Sequence, residues 1–256
     1  DGICIHTKKL VVLVDGGSSD KKNLGEQVLE PFLKSQGIYQ VDYVIVSHGD
    51  QDHISGVKEL LEEDKGIEIC NVILPWLGKS GEDEIYEKLV TLAKEKGTKT
   101  TWIKKGDCIQ AGSLRLECLY AGEEDKSGSL SNKDRNEHSL LLQVQYGLAG
   151  ILLTGDMSSK GEQLWLKEGE KPQIQVLKVA HHGSSYSSDS EFLKRVDPKW
   201  AVISCGEGNR YGHPSQDTLK RLKTQGIEWF LTMDSGAIMV NTDGNKIEIR
   251  TFQNGL

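Results

Sequence analysis

Short runs of apolar residues recur along the chain and are separated by polar stretches. Runs rich in Val, Ile and Leu that are bounded by Gly, Asp, Asn or Ser are typical of β-strands. This pattern predicts strands at Ile3–His6, Leu10–Val14, Tyr43–Val46, Asn71–Leu74, Thr101–Ile103, Leu114–Leu119, Ser139–Gln145, Gly150–Leu153, Gln175–Val179, Ala201–Ser204, Glu228–Thr232, Ala237–Asn241 and Lys246–Arg250.

Segments between these strands carry apolar residues at helical spacing. They predict helices at Pro31–Ser35, Gly56–Glu63, Glu84–Lys96, Lys160–Lys167, Asp189–Val196 and Gln216–Gln225, with Gly226 as a fitting stop for the last one. The stretch 121–138 has no periodicity and is expected to be an exposed loop. Strands and helices alternate in both halves without a linker, so we predict one α/β domain over residues 1–256, with sheets covered by helices.

Composition narrows the class of protein further. The chain has 256 residues and a net charge of −7, which argues against a surface coated in positive charge for non-specific nucleic-acid binding. A local basic track remains open, with candidates Lys104, Lys105, Lys178, Lys194 and Arg195. No apolar run approaches the ~20 residues that a membrane span needs. The start at Asp1, without a signal peptide, suggests an excised domain or a processed chain.

Cysteine usage disfavours two further classes. The chain has 5 cysteines, an odd number, and no CxxC pair, so a zinc ribbon or a complete disulfide framework is not expected. Most of them lie in apolar segments, so we expect small buried core residues.

The stretch VIVSHGDQDHISGV, residues 44–57, places His48, Asp50, Asp52 and His53 directly after a predicted buried strand. Carboxylates gathered in an apolar setting are costly unless something compensates their charge. A divalent cation does so, and this mixture of nitrogen and oxygen donors suits zinc, manganese or iron. The alternative is a solvated turn before the next helix, with Asp52 as the helix cap.

Two further predicted strands also end in polar residues of a metal-binding type. The segment ILLTGD ends in Asp156, which alternatively caps the next helix. The segment VLKVAHHGSSYSS passes from a buried-type strand into His181 and His182, which alternatively are ordinary turn residues.

A fourth strand runs into the glycine-rich loop of VISCGEGNRYGHP, which carries Asn209, Arg210, Tyr211 and His213. Glycines allow backbone N–H groups to approach an anion, and Arg210 could clamp a phosphate. Taken alone, this pattern is equally typical of a plain loop. Four predicted strands that all end in such residues strengthen one another as signals. Rigid scaffolds commonly hold a reactive site by supplying ligands from several strand ends at one rim of a sheet.

The motifs SHGDQDH, LLTGD, KVAHHGS, NRYGHP and LVDGG, in their observed positions, resemble the metallo-β-lactamase superfamily. Within it, they are most similar to the β-lactamase-like domain of the ComEC family of competence proteins. The resemblance runs from Asp1, which looks like the end of that family's GQGD opening, to residue 240. It implies an αββα sandwich with a metal site at one edge.

The resemblance also implies a role for each motif residue. His48 and Asp50 would bind one metal, Asp52 and His53 the other, and Asp156 would bridge them. Of the paired histidines, His182 is assigned as a metal ligand and His181 as facing the substrate. His213 would bind or protonate the phosphate. Asp15 would support the ligand loop from behind. The residues expected to contact substrate are Ser184, Ser185, Asn209, Arg210 and Tyr211.

Two departures from the superfamily pattern affect the metal. Asp50 stands where the common H-x-H-x-D-H motif has its second histidine, and oxygen in place of nitrogen shifts the preference from zinc towards manganese. Asn136 stands where the superfamily often has a third histidine, and we expect it to support the ligands. His138, two residues later, is expected to point elsewhere. The first metal would therefore bind weakly or keep more water. The cofactors implied are two divalent ions, Mn2+ or Zn2+.

The activity that the resemblance implies is metal-dependent cleavage of a DNA phosphodiester, with single-stranded DNA as substrate during uptake in competence. Two metals activate a water as hydroxide and clamp the reacting oxygens, and Asp52, Asp156, His181 and His213 would carry the catalysis. The domain would sit on the outer face of the cytoplasmic membrane, joined to the rest of a ComEC-like membrane protein. The oligomeric state is not indicated.

Two other functions remain open at this stage. One is a metallo-hydrolase with the same site that acts on a phosphorylcholine or other cell-wall phosphodiester, a lactone or a thioester. The other is a DNA-binding module whose metals are structural.

Overall fold

The computed structural model describes residues 1–62, 66–76, 84–122, 135–169 and 171–252. These residues form two compact units. The first contains the described residues of Asp1–Lys104 together with Arg135, and the second contains those of Lys105–Gly122 and Asn136–Leu256. The prediction of one domain over the whole chain stays a prediction.

The first unit is built on a sheet of mainly parallel strands. Its strands are β1 (Ile3–His6), β2 (Val11–Val14), β3 (Gln40–Val41), β4 (Tyr43–Ile45), β5 (Glu68–Ile69), β6 (Asn71–Pro75) and β7 (Lys99–Ile103). The main sheet has the order β1-β2-β4-β6-β7, and β3 pairs with β5 separately. Strands β2, β4, β6 and β7 run parallel, while β1 is antiparallel to β2. The carboxyl ends of the four parallel strands therefore share one edge.

Helices in the first unit pack against this sheet through their apolar faces. They are α1 (Glu30–Ser35), which follows a π-helical turn at Gly25–Leu29, α2 (Gln51–Glu62) and α3 (Glu84–Glu95). In α3, the buried residues Tyr86, Leu89 and Ala93 repeat at helical spacing and join a core with Val44 and Leu74. Central strands of a parallel sheet are buried on both faces, which explains why the sequence of β4 is a continuous apolar run.

The second unit is built on a larger mixed sheet. Its strands are β8 (Cys108–Ala111), β9 (Leu114–Tyr120), β10 (Leu141–Tyr146), β11 (Ala149–Leu153), β12 (Val176–Lys178), β13 (Trp200–Ile203), β14 (Glu228–Leu231), β15 (Ile238–Thr242) and β16 (Ile247–Thr251). The main sheet has the order β14-β13-β12-β11-β10-β9-β8, and β15 and β16 form a separate hairpin. Strands β11 to β14 are parallel, so their carboxyl ends also share one edge.

The helices of the second unit are α4 (Ser159–Leu166), α5 (Ser190–Val196), α6 (Gln216–Thr224) and α7 (Thr232–Ser235), with 3-10 turns at Arg135–His138 and Ala180–Gly183. Trp165 and Phe192 are fully buried and meet edge to face at 5.6 Å, which joins α4 to α5. Ser158 caps α4 and Ser215 caps α6, each through its side-chain oxygen.

Most predicted elements have a counterpart within a few residues, and the fold is mixed α/β as predicted. Apolar periodicity did not indicate the short strands β3 and β5, nor β8, whose residues alternate between exposed and half-buried. The predicted helix at Gly56–Glu63 begins too late, since α2 starts at Gln51, and position 63 lies outside the described residues. The predicted loop 121–138 falls mostly outside them, and its end, Arg135–His138, forms a 3-10 turn.

Three further expectations concern the burial of the cysteines, the basic surface track and membrane-spanning helices. The prediction that most cysteines are buried is wrong, because Cys118 is buried while Cys108 is exposed and the other three are half-buried. Lys178 cannot belong to a basic surface track, because it is buried. Within the described ranges, no helix combines the length and apolar character needed to cross a bilayer.

Candidate metal centre

In the first unit, the polar motif residues gather at the carboxyl edge of the sheet. Asp15 follows β2 and Ser47 and His48 follow β4, and these two strands are neighbours. The amide of Asp15 donates to the carbonyl of Ile45 at 2.9 Å, so the two strand ends stay joined beyond the sheet register. Residues far apart in the chain are therefore brought together by strand pairing.

Asp15 organises this cluster through its carboxylate. Oδ1 accepts a hydrogen bond from the amide of Ser47 at 2.7 Å, and Oδ2 accepts one from the Ser47 hydroxyl at 2.7 Å. Oδ2 also lies 2.9 Å from Nδ1 of His53. The Ser47 hydroxyl lies 3.1 Å from Nδ1 of His48, and the rings of His48 and His53 are 4.0 Å apart. One buried carboxylate thus orients both imidazoles, directly or through Ser47.

The charge state of Asp15 follows from these contacts. Burial alone would raise the pKa of its carboxyl group, but the charge and hydrogen bond of His53 and the amide of Ser47 outweigh burial and lower the pKa. An ionised carboxylate only accepts hydrogen bonds, so Nδ1 of His53 carries the proton. Nε2 is the ring nitrogen that faces away from Asp15.

The remaining motif residues lie at the start of α2. The carbonyl of Asp50 accepts from the amides of His53 at 2.9 Å and Ile54 at 3.2 Å, so helical hydrogen bonding begins there. Asp52 and His53 are therefore in the first turn, not in a loop or an extended segment. A helix amino terminus favours nearby negative charge, which suits Asp52. Asp50 Oδ2 lies 3.7 Å from Nε2 of His48, and Asp52 Oδ2 lies 4.0 Å from Nε2 of His53.

Two residues that were not assigned a role also reach this cluster. A carboxylate oxygen of Asp1 lies within 4.8 Å of a ring nitrogen of His53, and the backbone nitrogen of Asp1 donates to the carbonyls of Gly17 and Asp52. Arg135 Nη1 donates to Asp50 Oδ1 at 3.3 Å. The resemblance of Asp1 to the end of a family motif was a signal for the first. Nothing in the spacing of the sequence indicated Arg135.

Gly17 explains part of the LVDGG motif. A Cβ atom at this position would lie 2.5 Å from the carbonyl oxygen of Gln51 and 2.7 Å from the amide nitrogen of His53. Only glycine allows the chain after β2 to pass this close to the start of α2. The motif therefore sets the position of Asp52 and His53 relative to Asp15.

In the second unit, Asp156, His181, His182 and His213 follow the neighbouring parallel strands β11, β12 and β13. The expectation that these strands end at one rim is confirmed within this unit. Asp156 is 3% exposed, and its Oδ1 lies 3.8 Å from Nζ of Lys178. Lys178 Nζ also donates to the carbonyl of Gly155 at 3.0 Å, and the Asp156 amide donates to the Ser139 hydroxyl.

The paired histidines adopt an unusual backbone. His181 has φ 50° and His182 has φ 54°, so both lie in the left-handed region that non-glycine residues seldom occupy. Such strain is common where side chains must be aimed at a site. His182 Nδ1 donates to the carbonyl of Ser204 at 2.9 Å, and its Nε2 lies 3.5 Å from Asp156 Oδ2. His181 Nε2 is 3.9 Å from the same oxygen and its side chain is more exposed. This geometry favours His182 as the ligand, which stays a prediction.

The NRYGHP loop presents His213 to this group. Asn209 accepts from the His213 amide at 2.9 Å and donates to the carbonyls of Gly206 and His213. The Tyr211 ring stacks on His213 at 5.7 Å, and the His181 ring is 5.8 Å from it. Burial, and then the charges of His181 and His182, lower the pKa of His213, while Asp156 opposes them. Asn209 thus holds the loop together, which favours a positioning role over contact with substrate.

The other predicted substrate residues differ in access. Arg210 is exposed and its guanidinium donates to the Tyr211 hydroxyl. Ser185 is half-buried. Ser184 is buried, and its hydroxyl accepts from the amide of Tyr186, which favours a structural role.

The second-unit residues near Asn136 are held mainly by backbone contacts. The carbonyl of Asn136 accepts from the amides of Ser139 and Ser158. The His138 ring lies against Gly122, where a Cβ atom would be 2.0 Å from Nδ1. The expectation that His138 points away from the place of a third histidine stays a prediction.

A second network supports the HHGSS segment from outside the site. The Glu162 carboxylate accepts from the amides of Ser188 and Asp189. Arg221 donates to the carbonyls of Ser185, Ser187 and Ser188. Burial raises the pKa of Glu162 to about 7, against the opposing effect of the two amides.

The donor set of each unit fits divalent metal ions. His53 and His182 each have Nδ1 engaged by a protein oxygen, so Nε2 is the ring nitrogen that faces away from that partner. Hydrogen bonding of the far ring nitrogen to a carboxylate or carbonyl is the usual support of a metal-bound histidine. The carboxylates of Asp50, Asp52 and Asp156 lie 3.5 to 4.0 Å from imidazole nitrogens within their own unit, so oxygen and nitrogen donors are close together in each unit.

Comparison with known proteins identifies the class. The model of the metallo-beta-lactamase superfamily matches residues 3–207, and the chain belongs to this superfamily. Its members are generally metal-dependent hydrolases. YhfI of Bacillus subtilis, a metallo-beta-lactamase fold protein of known crystal structure, superposes with a TM-score of 0.56 at 15% identity, covering 90% of this chain and 88% of that one. The predicted fold class is thereby confirmed.

Within the superfamily, the chain is related to competence proteins. It is 36% identical over 216 residues to ComE operon protein 3 of Bacillus subtilis (strain 168), covering 84% of this chain and 26% of that protein. It is 30% identical over 237 residues to competence protein ComA of Neisseria gonorrhoeae, covering 92% of this chain and 30% of that protein. The resemblance to ComEC-like proteins is confirmed, and the chain spans less than a third of the length of these relatives.

Proposed function

We propose that this protein is a metal-dependent phosphodiesterase that cleaves DNA during its uptake in competence. The observation that carries the proposal is the buried contact between Asp15 and His53, which directs Nε2 of the imidazole away from the supporting carboxylate. An arrangement that consists only of a solvated turn has no need for a buried carboxylate that fixes a ring nitrogen.

The proposed ligands are the motif residues of the two units. His48 and Asp50 would hold one ion and Asp52 and His53 the other, and Asp156 and His182 would supply further ligands. Asp1 is a candidate for addition to this set, because its carboxylate lies close to His53. Two divalent ions, when bound, supply a water of lowered pKa and Lewis acidity towards phosphodiester oxygens. Asp50 adds an oxygen donor where nitrogen is common, which favours Mn2+ over Zn2+.

The protein residues contribute binding and proton transfer. His213 has a pKa below its ordinary value, so at neutral pH its imidazole is mostly neutral and accepts a proton or donates its N–H to a phosphate oxygen. His181, which is partly exposed beside Asp156, faces the substrate. Arg210 lies on the exposed loop next to Tyr211 and provides positive charge for a phosphate.

DNA as the substrate, and the cellular setting, are supported by the relatives. One of them is named competence protein ComA and another ComE operon protein 3, and both are far longer than this chain. We propose that the chain works as the β-lactamase-like part of a ComEC-like membrane protein, on the outer face of the cytoplasmic membrane. There it would degrade one strand while the other is taken up.

The test is cleavage of end-labelled single- and double-stranded oligonucleotides with Mn2+ or Zn2+, together with the metal content of the purified protein. We expect incision with Mn2+ that Asp52→Ala abolishes while the far-ultraviolet circular dichroism spectrum is unchanged. Asp20→Ala is the matched control, because Asp20 is an exposed carboxylate in the same unit. Failure to cut every form of DNA would exclude the nuclease.

Other outcomes identify the alternatives. Hydrolysis of bis-nitrophenyl phosphate without cleavage of DNA would indicate another phosphodiester, such as a phosphorylcholine or cell-wall substrate, and activity on a lactone or thioester would indicate a different hydrolase. Tight binding of DNA without any product after long incubation would indicate a non-catalytic module.

A further inference from the structure

Two tryptophans form an exposed aromatic pair at the edge of the first unit. Trp76 directly follows β6 and Trp102 is the penultimate residue of β7. Their ring centroids are 6.5 Å apart at an interplanar angle of 81°, and each residue remains 37% exposed. Tryptophan buries a large apolar surface when it is part of a core, so two partly open indoles in contact are an uncommon surface feature.

Strand register places this pair beside the candidate metal ligands of the same unit. Trp102 is paired with Leu74, and the amide of Trp76 donates to the carbonyl of Ile103 at 2.8 Å. Because β4, β6 and β7 are parallel neighbours, Trp76 and Trp102 lie at the same carboxyl edge as Ser47 and His48.

Tyr86 makes this proximity a direct chain of contacts. Its ring meets Trp102 edge to face at 6.0 Å, and a Cβ atom at Gly49 would lie 3.4 Å from its Cζ and Oη atoms. Tyr86 itself is 2% exposed, so it supports the pair from below. A chain of contacts through the buried Tyr86 ring thus links the aromatic pair to Gly49 in the HGD segment.

We propose that Trp76 and Trp102 form a stacking platform for an unpaired nucleobase of the DNA strand whose phosphodiester is cleaved at the metal site. This inference rests on the proposed function and names the form of its substrate. Nucleobases stack on exposed aromatic rings with little dependence on base identity. A base in a duplex is already stacked and paired and has no free face for the platform. The platform therefore selects single-stranded DNA without sequence preference.

The surrounding charge is compatible with a nucleic-acid strand. Lys104 is exposed and follows Trp102 by two residues. Aromatic rings interleaved with positive charge are the usual composition of a groove that binds single strands. The platform supplies affinity that does not depend on phosphate contacts, which suits a protein with a net charge of −7.

The experiment measures binding of a fluorescein-labelled oligothymidylate by anisotropy, with EDTA present so that no strand is cut. The comparison ligand is an abasic strand of the same length, which has the same phosphates but no bases. We expect Trp76→Ala and Trp102→Ala to weaken oligothymidylate binding by roughly 5- to 150-fold, the range for loss of one stacked base. Binding of the abasic strand stays unchanged.

Two further variants control for other effects. Trp102→Phe keeps an aromatic ring against Tyr86 and is expected to retain most of the affinity. Tyr39→Ala removes an aromatic residue that is 61% exposed and precedes β3, on the side of the amino ends of the strands. This variant is expected to bind both strands as the unaltered protein does.

Unchanged affinity of Trp76→Ala and Trp102→Ala for oligothymidylate, with both variants folded, would overturn the platform. So would equal losses on the thymidylate and the abasic strand, because these would show that the tryptophans act on contacts with the sugar–phosphate backbone and not through a stacked base. Tryptophan-dependent binding without any DNA cleavage would leave the platform standing while the nuclease fails. Metal-dependent cleavage together with unaltered DNA binding by the tryptophan variants would support the nuclease and overturn the platform.

Discussion

Oδ2 of Asp15 lies 2.9 Å from Nδ1 of His53, and both side chains are buried at 2% exposure or less. The same carboxylate accepts hydrogen bonds from the amide and the hydroxyl of Ser47. The hydroxyl oxygen of Ser47 also contacts Nδ1 of His48. Neither histidine ring can turn without losing a buried hydrogen bond. Asp15 and Ser47 thus fix the orientation of both imidazoles.

Replacing Asp15 by Asn is expected to lower metal affinity by about 10- to 100-fold, the usual effect of losing the support of a ligating histidine. The amide group removes the negative charge and no longer requires a proton on Nδ1 of His53. Isothermal titration with Mn2+ and Zn2+ measures the change. Asp20→Asn, at an exposed carboxylate of the same unit, is the control. Unchanged affinity in Asp15→Asn would mean that the charge of Asp15 does not support metal binding through His53.

Replacing Gly17 by Ala is expected to destabilise the protein by about 1–3 kcal/mol, because the new methyl group meets backbone atoms that cannot move aside. A Cβ atom there would be 2.5 Å from the carbonyl oxygen of Gln51. Gly206→Ala is the matched control, since nothing lies within 4 Å of its Cβ position. Urea unfolding of both variants measures the difference. Equal midpoints would show that the start of α2 adjusts freely.

Replacing Lys178 by Met is expected to reduce the free energy of unfolding of the metal-free protein by about 3–5 kcal/mol, the range for breaking a buried ion pair. Lys178 Nζ lies 3.8 Å from Asp156 Oδ1, and both side chains are 5% exposed. Lys194→Met, at an exposed lysine of the same unit, should have little effect. The measurement is urea unfolding in EDTA. Similar stabilities of the two variants would show that Asp156 does not depend on this ammonium group.

Glu162 is expected to make stability depend on pH. Its pKa rises from 4.5 to about 7 in the folded protein because its carboxyl group is buried. The folded state therefore keeps a proton that the unfolded chain releases, and the free energy of unfolding falls as pH rises from about 5 to about 8. The loss is on the order of 3 kcal/mol, the free energy that corresponds to this rise in pKa.

Glu162→Gln isolates this effect, because the amide does not titrate. Urea unfolding at pH 5 and pH 8 should show that the unaltered protein loses stability relative to the variant over this interval. Glu191→Gln, at an exposed glutamate of the same unit, should follow the unaltered protein at both pH values. A constant difference between Glu162→Gln and the unaltered protein would show that Glu162 is ionised throughout.

Much of the fold was predictable because its signals are local. The apolar run before His48 and the apolar face of α3 correspond to elements whose bounds are within a few residues of those predicted. The start of α2 was not predicted, since Gly49 and the polar residues around it are typical of a loop. Only the backbone hydrogen bonds from Asp50 show that the helix begins there.

The sequence by itself determined the order of strands and helices and the kind of side chain at each strand end, because both follow from short-range periodicity. Only the tertiary structure decided that Asp15 supports His53, 38 residues further on, that Lys178 points inward, and that Trp76 meets Trp102. The physical reason is strand pairing. Register between strands that are distant in the chain sets which side chains meet, and it leaves no trace in local composition.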